Sequence, residues 1–319
     1  MFDIALRSFE WTFIKKPLRR YETPKHDQNA LIERPMSVTN VLLDALDLLT
    51  NVRGIGWSWS ANPFPRESTP PPSTTAVLFK MFLRLVVFDA SHYIIQYICP
   101  AVNDPKGGSI FDPSLPLLPR AALAWFCCIW YGVWTHAMID FSYHCATLVG
   151  RIVFRQPASA WPPIFHRPLM STSLQEFWSV RWHQLGRHVF IVFGARPVGK
   201  LFGRPGALMG GFAVSAVLHH VALWGLGNGS DNVTVRGFFL LMGVGTVVEE
   251  AFTGVTGLRV RGWFGWLWMM AWMTLWGTFM LDGWARHGMM ASEFIPVGPR
   301  PGKIVVDAII ALSKLATVA

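Results

Sequence analysis

The sequence predicts an all-α protein, a polytopic transmembrane bundle of about five to seven membrane helices. Of the 319 residues, 52% are hydrophobic and only 15% are charged, and the mean hydropathy is +0.34. Five apolar segments reach the roughly 20 residues that a membrane helix needs, and we find no alternating strand pattern. The 16 tryptophans agree with this class, because indole rings favour the headgroup level of a bilayer.

Residues 1–75 are predicted to be a polar N-terminal arm and linker, which ends in Thr69-Pro70-Pro71-Pro72-Ser73. Within the arm, Val41–Leu49 predicts an amphipathic helix that is too short to span and is therefore interfacial. Arg53-Gly54-Ile55-Gly56-Trp57 predicts a turn-rich element at the surface. Residues 76–319 are predicted to form one membrane-embedded domain.

Five segments of this domain are predicted to cross the bilayer: Val77–Cys99, Ala121–Val149, Gly206–Leu226, Gly237–Thr256 and Trp263–Trp284. Two other apolar stretches are treated differently. Val189–Gly194 is too short to cross and is predicted to be interfacial or re-entrant. The tail Lys303–Ala319 carries two charged residues and is predicted to be interfacial or a partial span.

The positions of lysine and arginine predict the orientation, because cytoplasmic loops are enriched in both. The loop Gly150–Pro205 is strongly basic and is therefore predicted to be cytoplasmic, together with the N-terminal arm. We attribute the net charge of +9 to a basic cytoplasmic face that meets anionic lipid or a phosphorylated substrate, and not to nucleic-acid binding. The opposite loop carries two sequons for N-glycosylation, at Asn228 and Asn232.

A histidine inside an apolar helix is the first candidate for chemistry, because a polar side chain at membrane depth is costly and marks a functional site by default. In Ser215-Ala216-Val217-Leu218-His219-His220, the small residues Ser215 and Ala216 lie one turn before His219. They leave room beside its imidazole for a substrate or for another helix. A neutral histidine can take a proton from a hydroxyl. The alternative is a histidine that only packs, and by position His220 is a second candidate base.

The second candidate segment is Phe177-Trp178-Ser179-Val180-Arg181-Trp182-His183-Gln184, whose histidine lies 36 residues before His219. Its aromatic residues suit the membrane interface, and the rigid donor fork of arginine suits phosphate. A coenzyme A ester carries several phosphates and enters from the cytoplasm. We therefore predict an acyl-CoA site formed by Arg181, Trp182, Gln184 and Arg187. The alternative is an anchor for lipid headgroups.

Carboxylates also lie within the apolar segments: Asp89, Asp140, Glu249 and Glu250. At least one of the adjacent pair Glu249 and Glu250 must face the bundle interior. We predict that these residues pair with a histidine or an arginine and hold helices together. The alternative is that one of them orients His219.

Other classes fit the sequence less well. A di-iron membrane oxidase needs about eight histidines in paired boxes. His183 and His188 are spaced like one box, and His219-His220 is similar to part of another, but the remaining histidines are scattered singly. A prenyltransferase needs clustered aspartates for Mg²⁺ and diphosphate, and we find none. The four cysteines show no zinc spacing. A transporter would show repeated halves, and a non-catalytic membrane protein remains an alternative.

The motif Phe177-Trp178-x-x-Arg181-Trp182-His183-Gln184, followed by Ser215-Ala216-x-x-His219, resembles the wax-synthase branch of the membrane-bound O-acyltransferases. The resemblance covers about residues 5–285 and includes Arg53–Trp57. The chain is also similar to fungal members that acetylate hydroxyls of terpenoids and meroterpenoids in secondary metabolism. Two departures stand out. Ala216 replaces a common glycine, and relatives are expected to carry further hydrophobic helices ahead of Arg53, where this sequence shows none.

The resemblance implies a multi-pass enzyme of the endoplasmic reticulum that transfers an acyl group from acyl-CoA, expected to be acetyl-CoA, to the hydroxyl of a lipophilic alcohol. It implies that His219 is the catalytic histidine and that His183 is the second catalytic residue, at a position where many relatives have asparagine. No bound cofactor or metal is expected. The alternative acceptor chemistry is that of a wax or sterol ester synthase that uses long-chain acyl-CoA.

Overall fold

The computed structural model describes residues 8, 10–12, 18–20, 37–59, 71–225, 227, 229, 232–295 and 299–318. Over these residues the chain is helical, and the single β-bridge joins Arg20 to Trp57. We number the α-helices α1 Val38–Thr50, α2 Thr74–Ile98, α3 Leu117–Ile152, α4 Leu174–Glu176, α5 Arg187–Val189, α6 Arg196–Trp224, α7 Asn232–Thr256, α8 Gly262–Ala285 and α9 Pro301–Val318.

Each of the five predicted spans falls on one of the long helices α2, α3, α6, α7 and α8. This confirms the predicted helical class. Three helical stretches of the described chain are long and apolar enough to cross a membrane by length and composition: Leu117–Ile152, Arg187–Trp224 and Val233–Thr256. Of the two sequons, the one at Asn228 begins outside the described residues. Asn232 is the first residue of α7, but the structure does not describe its side chain.

The stretch Arg187–Trp224 is a hairpin of two helices and not one straight rod. Helix α5 continues as a π-helix over Phe190–Ala195 and then as α6. The backbone leaves helical geometry at Phe202 and Gly203, where glycine takes φ 65° and ψ −153°. Beyond this turn the chain runs back along itself, because Gly194 meets Gly210 and Gly199 meets Ala207. The short segment Val189–Gly194 therefore lies within the first arm of the hairpin.

Buried carboxylates tie the helices together, largely as predicted. Asp89 of α2 is 1% exposed, lies 2.7 Å from the Nε of Arg300, and accepts the backbone N–H of Gly302 at the start of α9. Asp140 of α3 pairs with Arg84 of α2 at 2.6 Å. Each pairing neutralises a charge that would otherwise be costly to bury.

The two acids of α7 differ from each other. Glu250 pairs with Arg204 at 2.8 Å, as predicted. The prediction of a histidine or arginine partner was wrong for Glu249. Its oxygens accept the backbone N–H groups of Leu174 and Gln175. They also accept the indole N–H of Trp268.

The described part of the N-terminal arm packs on the loop that follows α3. Trp57 is 2% exposed and donates its indole N–H to Asp47 at 2.6 Å. Gly54 and Gly56 take positive φ angles of 66° and 79°, which makes the turn that was predicted here. From that turn, Arg53 donates to the carbonyl of Pro162 at 2.6 Å.

Candidate active site

A cavity of about 1650 Å³ opens between α2, α3, α7, α8 and the hairpin. Both histidines singled out from the sequence, His183 and His219, line it. Ligand pockets are commonly about 300–1,000 Å³. The cavity is therefore large enough for two substrates at once.

His219 is held in one tautomer by its own helix. Its Nδ1 lies 2.8 Å from the backbone carbonyl of Ser215. A carbonyl can only accept, so Nδ1 carries the proton and Nε2 keeps its lone pair. The ring also stacks on Phe239 of α7, with centroids 4.1 Å apart and planes 27° apart. An imidazole fixed in this way can accept a proton at Nε2.

His183 differs from His219 in the hydrogen bonding of its Nδ1. Its Nδ1 is buried and has no hydrogen-bond partner among the described residues. Burial, together with the nearby charge of His219, lowers the pKa of His183 to about 4. The ring is therefore neutral at pH 7, and a buried nitrogen without a partner is a group that a ligand can satisfy.

The hairpin explains why two histidines so far apart in sequence line the same cavity. A Cβ placed on Gly194 would lie 2.2 Å from the carbonyl oxygen of Gly210, and one on Gly199 would lie 2.9 Å from the Cβ of Ala207. When this register is extended, the residues just before Arg187 fall level with the turn around His219. The small residues of the two arms are what allow this close approach.

The remaining predicted acyl-CoA residues divide into two groups. Trp182, Gln184 and Arg187 line the cavity. Arg181 is not among the lining residues. Its Nε pairs with Glu176 at 2.7 Å, and its Nη1 donates to the carbonyls of His166 and Arg167. The guanidinium of Arg181 is thus used to fix the segment and the preceding loop, and its phosphate role stays a prediction.

Three cationic residues of the cavity were not predicted from the sequence. Lys80, Arg84 and Arg167 line it together with Arg187, and the lining contains one carboxylate, Asp140. Lys80 and Arg84 lie one turn apart within the otherwise apolar α2, and that spacing was a usable signal. The excess of positive charge suits an anionic ligand.

Within the part of the chain that the structure describes, no group of three or more histidine, cysteine or acidic side chains could hold a metal ion. His188, which the di-iron alternative needs as a ligand, lies 2.8 Å from Glu10 and packs edge-on against Trp59. His183 faces the cavity instead. The paired-box arrangement is not formed among these residues.

Residues 161–241 match the model of the membrane bound O-acyl transferase family. That stretch contains both His183 and His219. Over these residues the chain is similar to the membrane bound O-acyl transferase family. The match to this family and the three apolar helical stretches together support an integral membrane protein.

Several relatives of this chain carry names of acyl-transferring enzymes. The chain is 23% identical to an O-mevalon transferase of Penicillium terrestre over 313 residues, which is 89% of this chain and 71% of the relative. It is 32% identical to a long-chain-alcohol O-fatty-acyltransferase of Simmondsia chinensis over 40% of this chain. It is 26% identical to an acetyltransferase of Aspergillus fumigatus over 64% of this chain.

The chain spans only 39% of the Simmondsia protein and 38% of the Aspergillus protein. Their names agree on the reaction class and differ in the group that each transfers. With the family match, they identify the chain as an acyltransferase, as the sequence predicted.

Proposed function

We propose that this enzyme transfers an acyl group from acyl-CoA to the hydroxyl of a lipophilic alcohol, in one step within a ternary complex. The observation that carries the proposal is the pair of imidazoles on one large cavity. One imidazole has its Nδ1 fixed by Ser215, and the other has a buried nitrogen without a partner.

In this mechanism, the Nε2 of His219 takes the proton of the alcohol while the alcohol oxygen attacks the thioester carbonyl carbon. The carbonyl oxygen becomes an oxyanion, and His183 donates a hydrogen bond to it through Nδ1. The carbon–sulfur bond then breaks, and the proton held by His219 passes to the departing thiolate. The products are the ester and free coenzyme A, and both imidazoles end neutral.

Charge on the cavity supports coenzyme A as the donor. Lys80, Arg84, Arg167 and Arg187 line the cavity, and Asp140, which pairs with Arg84, is the carboxylate among them. We assign the phosphates of the donor to these cations. Gln184 accepts from Arg187 at 3.1 Å and keeps that side chain beside the segment of His183.

The apolar part of the cavity wall supports a lipophilic acceptor. It is lined by methionine and tryptophan side chains of α8, including Met269, Met273, Met280 and Trp284. Flexible thioethers adapt to irregular apolar shapes. We propose a terpenoid or meroterpenoid alcohol of secondary metabolism as acceptor and acetyl-CoA as donor, in the endoplasmic reticulum. The name of the Aspergillus relative supports acetyl transfer.

A second candidate is the transfer of a long acyl chain to an alcohol or sterol, which the name of the Simmondsia relative and the size of the cavity support. The test uses membranes that contain the enzyme, supplied with radiolabelled acetyl-CoA or palmitoyl-CoA and with a panel of hydroxylated terpenoids and long-chain alcohols. Labelled ester from acetyl-CoA, absent with His219→Ala, supports the proposal. Product from palmitoyl-CoA alone supports the second candidate, and no product from either donor contradicts both.

A further inference from the structure

Glu249 is a buried acid that the mechanism above does not use. It lies on α7 and is only 4% exposed. A carboxylate is costly to bury without partners. Here it accepts three N–H groups, from the Leu174 backbone at 2.6 Å, the Gln175 backbone at 2.9 Å and the Trp268 indole at 2.9 Å. None of the three donors is charged, so the residue does not serve as half of an ion pair.

The two backbone donors open the segment that carries His183. Leu174 and Gln175 belong to α4, which continues as a π-helix over Phe177–Arg181 and ends two residues before His183. The segment is internally stiff, because the N–H of Trp182 bonds to the carbonyl of Phe177 at 2.7 Å. Glu249 holds the start of this segment, and His183 follows two residues after its end.

The helix of Glu249 also holds the other histidine. Phe239 lies on α7 as well, 10 residues before Glu249, and stacks on the ring of His219. Between them, Gly245 allows close approach, since a Cβ there would lie 2.5 Å from Leu174 and 2.7 Å from the Trp272 indole. Helix α7 is thus the common support for both imidazoles.

We propose that Glu249 is a positioning residue that sets the placement of His183 relative to His219 by fixing the start of the 174–181 segment to α7. This inference rests on the proposed function. Orientation of reacting groups is sensitive, since a displacement of about 1 Å can cost about 100-fold in rate. Loss of the contact should therefore lower kcat and leave the binding of acyl-CoA at the cationic residues largely unchanged.

The test replaces Glu249 with Gln, which keeps the shape but turns one acceptor into a donor that faces an N–H group. We expect kcat to fall about 10- to 100-fold, with the KM for acyl-CoA within about twofold. Glu250→Gln is the matched control, because Glu250 pairs with Arg204 outside the cavity lining and should keep kcat. Unchanged kcat in Glu249→Gln would overturn the proposal.

A double-mutant cycle separates positioning from general damage to the fold. In a His183→Asn background, Glu249→Gln should have little further effect on kcat, because its influence passes through His183. An additive loss would contradict the proposal.

If Glu249→Gln does not fold, Trp268→Phe removes one of the three donors to Glu249 and keeps an aromatic ring at position 268. It should give a smaller loss of kcat, and an unchanged kcat would count against the proposal. Full activity of His219→Ala would instead contradict the proposed function.

Discussion

Gly194 and Gly210 face each other across the hairpin so closely that neither position has space for a Cβ. This contact joins the arm that begins at Arg187 to the arm that carries His219. It explains how the motif around residue 183 reaches the later histidine.

The first prediction concerns this contact. Gly210→Ala places a methyl group 2.4 Å from the carbonyl oxygen of Gly194, so the arms must separate. We expect a loss of about 1–3 kcal/mol of stability, and a larger loss of turnover than of expression. The measurement is thermal unfolding in detergent together with ester formation. Gly254→Ala on α7 is the control, because a Cβ there meets nothing within 4 Å. Equal behaviour of the two variants would contradict the hairpin.

The second prediction concerns the base. His219→Ala should remove acyl transfer, lowering kcat by about 100- to 10,000-fold, the usual contribution of general-base catalysis. His220→Ala should be far milder, because it is His219 that lines the cavity beside His183. Initial rates in membranes of matched expression measure both variants. An equal loss in the two would mean that the base is not His219 alone.

The third prediction concerns the phosphates of the donor. Lys80→Ala combined with Arg187→Ala removes two of the four cations of the cavity. The KM for acyl-CoA should rise about tenfold, as expected when a charge-assisted contact worth about 1.4 kcal/mol is lost. Arg204→Ala is the control, since that residue pairs with Glu250 and does not line the cavity. If KM stays unchanged in the double variant, the phosphates bind elsewhere.

Arg181→Ala tests whether Arg181 binds the phosphates of the donor, as the sequence predicts, or fixes the segment around it. Because Arg181 bonds to Glu176 and to two backbone carbonyls, its removal should lower stability and kcat together. The KM for acyl-CoA should change little. A selective rise in KM at full stability would support the phosphate role that the sequence predicts. Kinetics at several acyl-CoA concentrations decide the matter.

The fifth prediction is a dependence of stability on pH. The pKa of His183 is lowered from 6.5 to about 4, so the unfolded chain binds the proton more readily than the folded protein. The contribution of His183 to the free energy of unfolding is therefore complete above pH 6.5. As the pH falls toward 4, the protein loses this contribution, which is about 3 kcal/mol at most. The apparent Tm of the wild type should fall more steeply over this range than that of His183→Asn. Parallel curves would contradict the buried, neutral state of His183.

Much of the fold could be predicted from the sequence because a bilayer imposes strict rules on composition and length. Hydropathy and residue type predict the five long apolar segments, the short stretch Val189–Gly194 and the two histidine motifs. The family could also be recognised from the spacing of aromatic residues, arginine and histidine around residue 183.

Only the tertiary structure decided which side chains share a space. Arg181 looked like a phosphate ligand by residue type, yet Glu176 and two carbonyls occupy its guanidinium. Lys80 and Arg84 looked like ordinary residues of a helix, yet they line the cavity. Sequence determines which groups are costly to bury and so must find partners. Which partners they find depends on how helices distant in the chain pack, as Glu249 shows by bonding to backbone 74 and 75 residues away.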